Sequence, residues 1–326
     1  MEDKIRGMIA FLAVGDALGV PHEFVYQRDI KYTGKVEHAS FLWNRFKKEK
    51  KNLVIGQFSD DTEMTITLAR NLIRNKGDYK RDSVIMDYIE WDNSGTPMRG
   101  KNTRALFDNI KSLKGYESRY KKIFTDTDPS TWTCSNGCLM RCSPLAIIKK
   151  FEPVMDDCSI TNPHWVTKDC CQIQVAAIKA SLLNKSKQDI IKLVQKIAQT
   201  KETKGILVDV AEGKMDRDLS VSKGWILHGL YCSLTCLISF DNPREAIDWV
   251  IGKHPVSDTD TNACISGALL GAFYGYNKLM EDPIIKKNWE IVRDADPSKG
   301  DVPRPIKYQL KDFDSLCKDL AEVASC

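Results

Sequence analysis

Histidine is scarce in this chain: only five occur among 326 residues, at positions 22, 38, 164, 228 and 254. No two have the i, i+4 spacing that sets a pair of imidazoles on one helix face around a metal. If the protein holds a metal, oxygen ligands must carry it. Cys-x-x-Cys knuckles are absent too, although the chain has eleven cysteines. Cys134, Cys138 and Cys142 recur every fourth residue, with His164 further on. Structural zinc sites usually draw on closely paired knuckles, so buried free thiols in a reducing compartment fit the odd count and irregular spacing better. An excess of one charge is also missing, with 48 basic residues against 44 acidic ones and a net charge of +4. That balance does not suit a protein that coats nucleic acid or an anionic membrane. The basic stretch from Arg45 to Lys51 reads as a solvated loop, with a local contact to a phosphate-bearing partner as its alternative.

No segment reaches the roughly 18 uninterrupted apolar residues of a membrane span. The first apolar stretch is broken by Asp16, follows the mixed charges of Glu2, Asp3, Lys4 and Arg6, and precedes no small-residue cleavage pattern. The expectation is a soluble, intracellular, cytoplasmic protein. Alternating strand patterns are almost absent. Helical periodicity takes their place at 4–20, from Asp60 onward, at 82–91, 101–113, 170–183, 187–199, 224–239 and 243–251, and from Asp260 onward. A final amphipathic segment carries Leu310, Phe313, Cys317 and Leu320. The stretches at 125–135 and 281–306 read as polar, proline-containing connections. With 42% hydrophobic residues a substantial core is affordable, and the chain is expected to be all-α in one domain over 1–326. Gly267, Gly271 and Gly275 lie four apart on one helix face. Each costs about 1 kcal/mol of helix propensity against alanine, which points to a neighbouring backbone packed closely there.

Acidic residues are concentrated at two helix openings. Ser59, Asp60 and Asp61 precede one apolar run, and Ser257, Asp258, Thr259, Asp260 and Thr261 precede another. One Ser, Thr or Asp suffices to cap a helix, so each string alone reads as a cap with surplus charge. Gathered together, the carboxylates would repel each other and raise their pKa values unless a cation compensated. Carboxylate, hydroxyl and water oxygens are the ligands that Mg²⁺ and Mn²⁺ prefer. Asp16, inside an apolar helix, is expected to support these loops, with a direct role at the site as the alternative.

Four motifs occur in order: GDALGVPHE (Gly15 to Glu23), GQFSDDT (Gly56 to Thr62), SNGCLMRCSPL (Ser135 to Leu145) and SDTDTNACISGALLGAFYG (Ser257 to Gly275). With them the chain resembles the ADP-ribosylglycohydrolase family, most of all the type that reactivates ADP-ribosylated dinitrogenase reductase. The resemblance implies an all-α fold with two divalent cations, Mg²⁺ or Mn²⁺. It puts Ser59, Asp60, Asp61, Asp258, Asp260 and Thr261 at metal-ligand positions and makes Glu23 the candidate acid/base. Asn136, Gly137 and Cys138 match a loop facing the ADP-ribose. The implied reaction removes ADP-ribose from a modified acceptor, protein arginine foremost, or from an ADP-ribose-bearing small molecule. Two departures stand out. Val256 and Ser257 replace the family's usual Gly-Gly, and a common Thr-His pair is Thr161-Asn162 here, with His164 two residues later. They keep open the alternative of an ADP-ribose-binding module that does not hydrolyse, beside a metal-dependent hydrolase of other nucleotides or phosphates.

Overall fold

Residues 1–23, 31–37, 41–44, 49–96, 98–125, 134–254 and 256–325 are described by the computed structural model. Its first helix, α1 (Glu2–Gly19), is buried at Ile5 and at every position from Gly7 to Gly19. A helix apolar all round belongs inside a protein, and here it packs along α12 (Thr259–Tyr274), itself buried from Thr259 to Ala272. Glycine allows the close approach. A Cβ on Gly267 would collide with the Phe11 carbonyl and one on Gly271 with that of Gly7. Gly275, the third of the series, does other work: at φ 84° it ends the helix, in a conformation that favours glycine.

Around this central pair stand α2 (Asp60–Arg74), α7 (Trp165–Leu182), α10 (Ile226–Ser239), α11 (Pro243–Gly252), α14 (Pro283–Asp294) and α15 (Phe313–Ser325). An outer set comprises α3 (Arg81–Asn93), α4 (Lys101–Phe107), α5 (Leu113–Thr125), α6 (Glu152–Thr161), α8 (Lys187–Ile197) and α9 (Lys201–Ala211), with the single turn α13 (Tyr276–Leu279) after Gly275. The all-α expectation holds. No helix among the described residues is long and apolar enough to cross a membrane.

Three local expectations fail. The segment 101–113 is two helices, because the chain breaks between them with Asn109 at φ 61°. Part of the basic stretch read as a solvated loop is strand: β2 (Glu49–Asn52) pairs antiparallel with β1 (Phe41–Asn44) in a hairpin, Phe41 opposite Asn52. The supposed connection at 281–306 contains α14. Pro283 lies in its first turn, where a missing N–H costs nothing, and Asp282 accepts from Ile284 N and Ile285 N at 2.8 and 3.1 Å. Residues 126–133 of the other supposed loop lie outside the described residues.

Candidate active site

Both acidic helix openings arrive at one place because α1 holds them there. Asp16, fully buried in α1, accepts from Ser59 N at 3.0 Å, Thr62 N at 3.0 Å and Thr62 Oγ1 at 2.5 Å. It thereby takes up the free N–H groups at the start of α2, as its expected supporting role required. Ser59 is the N-cap, its Oγ accepting from Asp61 N at 3.2 Å. On the other side, Gly19 at the end of α1 is in backbone contact with Asp260, which a Cβ would prevent, and Thr259 Oγ1 donates to Gly19 O at 2.9 Å.

At α2 the capping is thus done without the surplus acids. Asp258 occupies the N-cap of α12 but makes no side-chain cap bond. Its Oδ2 instead accepts from Asn136 Nδ2 at 2.8 Å. Asp61 Oδ2 accepts from Ser59 Oγ at 2.8 Å, while Asp61 Oδ1 is buried with no hydrogen-bond partner among the described residues. Carboxylate oxygens of Asp16, Asp61 and Asp260 lie within 4.8 Å of one another, as do those of Glu23, Asp258 and Asp260. Asp260 belongs to both groups and joins them. Thr261 N donates to Asp260 Oδ1 at 2.8 Å. Residues some two hundred positions apart in the chain are neighbours here.

The electrostatics are those of uncompensated charge. Burial raises the Asp61 carboxyl well above the usual range, and the charges of Asp16 and Asp60 add to it. Asp260 is raised likewise by burial and then by Glu23 and Asp258. Glu23 is raised by burial and then by Asp258 and Asp60. Asp60, partly open at the rim, is pushed up to about 7 by burial and the Asp16 charge. The nearby buried arginines are engaged elsewhere, Arg304 with Glu63 and Arg141 with Asp157. An all-oxygen donor set with an unpartnered buried carboxylate oxygen fits a hard divalent cation.

The loop that carries Asn136 meets the expectation only in part. Asn136 reaches Asp258, and Gly137 borders open space, since a Cβ there would meet nothing within 4 Å. The Cys138 side chain points the other way and is fully buried against Cys158 and Cys171. Asn162 is buried behind the loop. Its Nδ2 donates to Ser135 Oγ at 2.9 Å and its Oδ1 accepts from Thr161 Oγ1 at 2.7 Å. His164 caps α7, Nδ1 accepting from Val166 N at 3.2 Å, and its ring lies 4.3 Å from the exposed Trp165 ring. Sequence inspection passed over Arg141, whose guanidinium holds Gly137 O at 2.8 Å and Thr161 Oγ1 at 2.9 Å. Its place two residues after Leu139 in the third motif was the available signal. Val256 is 40% exposed, and Ser257 is buried, its Oγ without a hydrogen-bond partner among the described residues.

A family model described as ADP-ribosylglycohydrolase matches residues 1–294. The chain belongs to the ADP-ribosylglycohydrolase family. It is 25% identical over 302 residues to an ADP-ribosylarginine hydrolase, Tri1, of Pseudomonas putida, a match covering 88% of this chain and 75% of that protein. It is 24% identical over 310 residues to the ADP-ribosyl-[dinitrogen reductase] glycohydrolase of Rhodospirillum rubrum, covering 90% and 93%. A solved structure titled as an ADP-ribosylglycohydrolase-related protein complex superposes with a TM-score of 0.70 over 99% of this chain and 98% of that one, at 18% identity. That likeness concerns the fold of this ADP-ribosylglycohydrolase.

Proposed function

We propose that this glycohydrolase cleaves the glycosidic bond between ADP-ribose and arginine of a modified protein, using two divalent cations, Mg²⁺ or Mn²⁺, held by Ser59, Asp60, Asp61, Asp258, Asp260 and Thr261. The observation that carries the metal part is the pair of carboxylate groups sharing Asp260, with Asp61 Oδ1 lacking a partner among the described residues. The arginine part rests on the relatives from P. putida and R. rubrum, one of them named for arginine. Such cations, when bound, fix sugar hydroxyls and lower the pKa of a water.

The chain's own residues supply the rest. Cleavage at the ribose anomeric carbon passes through a cation-like sugar, and a cluster of carboxylates offers it a negative environment. Glu23 stands partly buried at the edge of that cluster, with its carboxyl raised by burial and by Asp258, which suits a group that exchanges a proton near neutral pH. Asn136 and Gly137, with the backbone of Cys138, form the face on which the pyrophosphate would lie, and Arg141, Ser135 and Asn162 keep that face in place.

Release of free ADP-ribose from ADP-ribosyl-arginine, measured against ADP-ribosyl-serine and ADP-ribosylated nucleic acid, tests the assignment. Glu23→Gln is expected to lower turnover by about 10²–10⁴-fold with little change in ADP-ribose affinity. Wild-type binding of ADP-ribose without release from any of these substrates would instead favour the binding-only alternative, for which the side chain of Val256 at a usual glycine position is the supporting feature.

A further inference from the structure

Three thiols that the carboxylate site does not use converge beneath its loop. Cys138 comes from the turn Asn136–Cys138, Cys158 from α6 and Cys171 from α7. Their Sγ atoms all lie within 4.8 Å of one another, and each residue is at most 1% exposed. We infer that Cys138, Cys158 and Cys171 form a three-thiolate site for a soft monovalent cation of the Cu(I) class.

The donor chemistry decides the kind of ion. Thiolates select soft cations, and Mg²⁺ or Mn²⁺ would be refused. Metal–sulfur bonds of about 2.3 Å in a trigonal plane set the sulfurs about 4 Å apart, inside the observed limit. Zinc prefers a fourth ligand in tetrahedral array. A further thiol, Cys142, adjoins Cys171 but does not belong to the group whose sulfurs all lie within 4.8 Å of one another. Three ligands converge and the fourth stands outside. The set is unlike Cys134, Cys138, Cys142 and His164, the zinc grouping set aside on its spacing, which the structure does not bring together as a metal group.

A buried hydrogen-bond frame positions two of the thiols. Arg141, fully buried, donates to Gly137 O and Asp157 O, both at 2.8 Å, and these residues immediately precede Cys138 and Cys158. On loading, each S–H bond breaks, an S–Cu bond forms and the proton leaves to solvent, so no oxidant is needed. The Cys158 thiol, which now donates to Asn162 O at 3.3 Å, would release that carbonyl. One ion would thus tie the turn under the active site to α6 and α7.

The test is independent of the proposed reaction. Reduced, metal-free protein is titrated anaerobically with Cu(I) in competition with bathocuproine disulfonate. Wild type should withdraw one equivalent, and X-ray absorption at the copper edge should show only sulfur in the first coordination shell. Cys158→Ala and the Cys138→Ala/Cys171→Ala pair should weaken uptake at least tenfold, whereas Cys317→Ala in α15 should leave it unchanged. No uptake by wild type, nitrogen or oxygen at the copper, binding that survives the substitutions, or thiol loss to a disulfide would each overturn the site. The absorption measurement needs no variant and stands even if the substitutions impair folding.

Discussion

Glu63 and Asp61 stand two residues apart on α2 and are each 2% exposed, yet the protein treats them in opposite ways. Glu63 receives a forked pair of bonds from Arg304, at 2.7 and 2.9 Å, and a third from Trp91 Nε1 at 2.7 Å. Asp61 receives a serine hydroxyl on one oxygen and, from the described residues, nothing on the other. Asp157 follows the first pattern, with Arg141 as its partner. Asp16 and Asp260 follow the second, in which only uncharged N–H and O–H groups are supplied. Depth of burial is therefore not what separates them. Counter-charge is. Where a buried acid fastens helices together, the chain brings its own arginine across the fold. Where the carboxylates gather, the chain supplies no such arginine, and the proposed cations would complete the charge.

The comparison breaks most severely at its unpaired member. Asp260→Asn keeps side-chain size and an oxygen, but it removes the charge common to both carboxylate groups. Binding of Mg²⁺ or Mn²⁺ by calorimetry should disappear together with ADP-ribose release, by more than the roughly 10–100-fold loss that outer-shell changes cause. Asp61→Asn should behave alike. Helix stability should survive, since Asn caps about as well as Asp, Ser59 is the cap of α2, and the substituted amide keeps an oxygen for Thr261 N. Full metal binding with full turnover in both variants would end the two-cation proposal.

The paired member should fail differently. Arg304→Met leaves Glu63 buried without its cation, and removing one partner of such a pair costs about 3–5 kcal/mol. Denaturant unfolding should register that loss, whereas Asp61→Asn should register little or none. Arg304 lies beyond the residues that the family model matches, and its effect on α2 should reach the site indirectly, as weaker metal affinity with turnover recovered at saturating metal. If Arg304→Met left stability intact while abolishing turnover at any metal concentration, Arg304 would belong to the chemistry and the division drawn here would be false.

What could be foreseen along the chain follows from how local its cause is. The openings at Asp60 and Asp260 were legible because the surplus of acid over capping need is visible within five residues. Asp16 was legible as an oddity, one charge in an apolar helix. The pairing of Arg304 with Glu63 spans 241 positions, and nothing near either residue announces the other. Nor could the direction of Cys138 be read, because a three-residue turn has no periodicity to assign a face. Its thiol partners sit 20 and 33 residues on, in two different helices. The hairpin was missed because its strands, FLWN and EKKN, carry no alternation. α14 was missed because the polar, proline-containing character of 281–306 hid that Pro283 is a first-turn residue.

The smallest effect expected is one of pH, and its sign distinguishes the two kinds of buried acid. Asp60 is held up to about 7, and Asp61, Asp260 and Glu23 are raised well above ordinary carboxyls. In the metal-free chain these groups hold protons when folded that they lose when unfolded. The folded state then binds more protons than the unfolded state, so stability falls as pH rises. For Asp60 the contribution is complete below about pH 4 and is lost as pH passes through about 7. In chelator, Tm should therefore drop between pH 5 and 8, by at least the roughly 2–4 °C that corresponds to about 1 kcal/mol in domains of 150–250 residues. Asp60→Asn, having no proton to lose, should drop less. With excess Mn²⁺ the fall should shrink or reverse, because the cation takes the place of the protons and binds the deprotonated ligands. A Tm that stays level or climbs over this range in chelator, for wild type and Asp60→Asn alike, would show that the carboxylates have found counter-charge within the chain. The contrast between Asp61 and Glu63 would then dissolve.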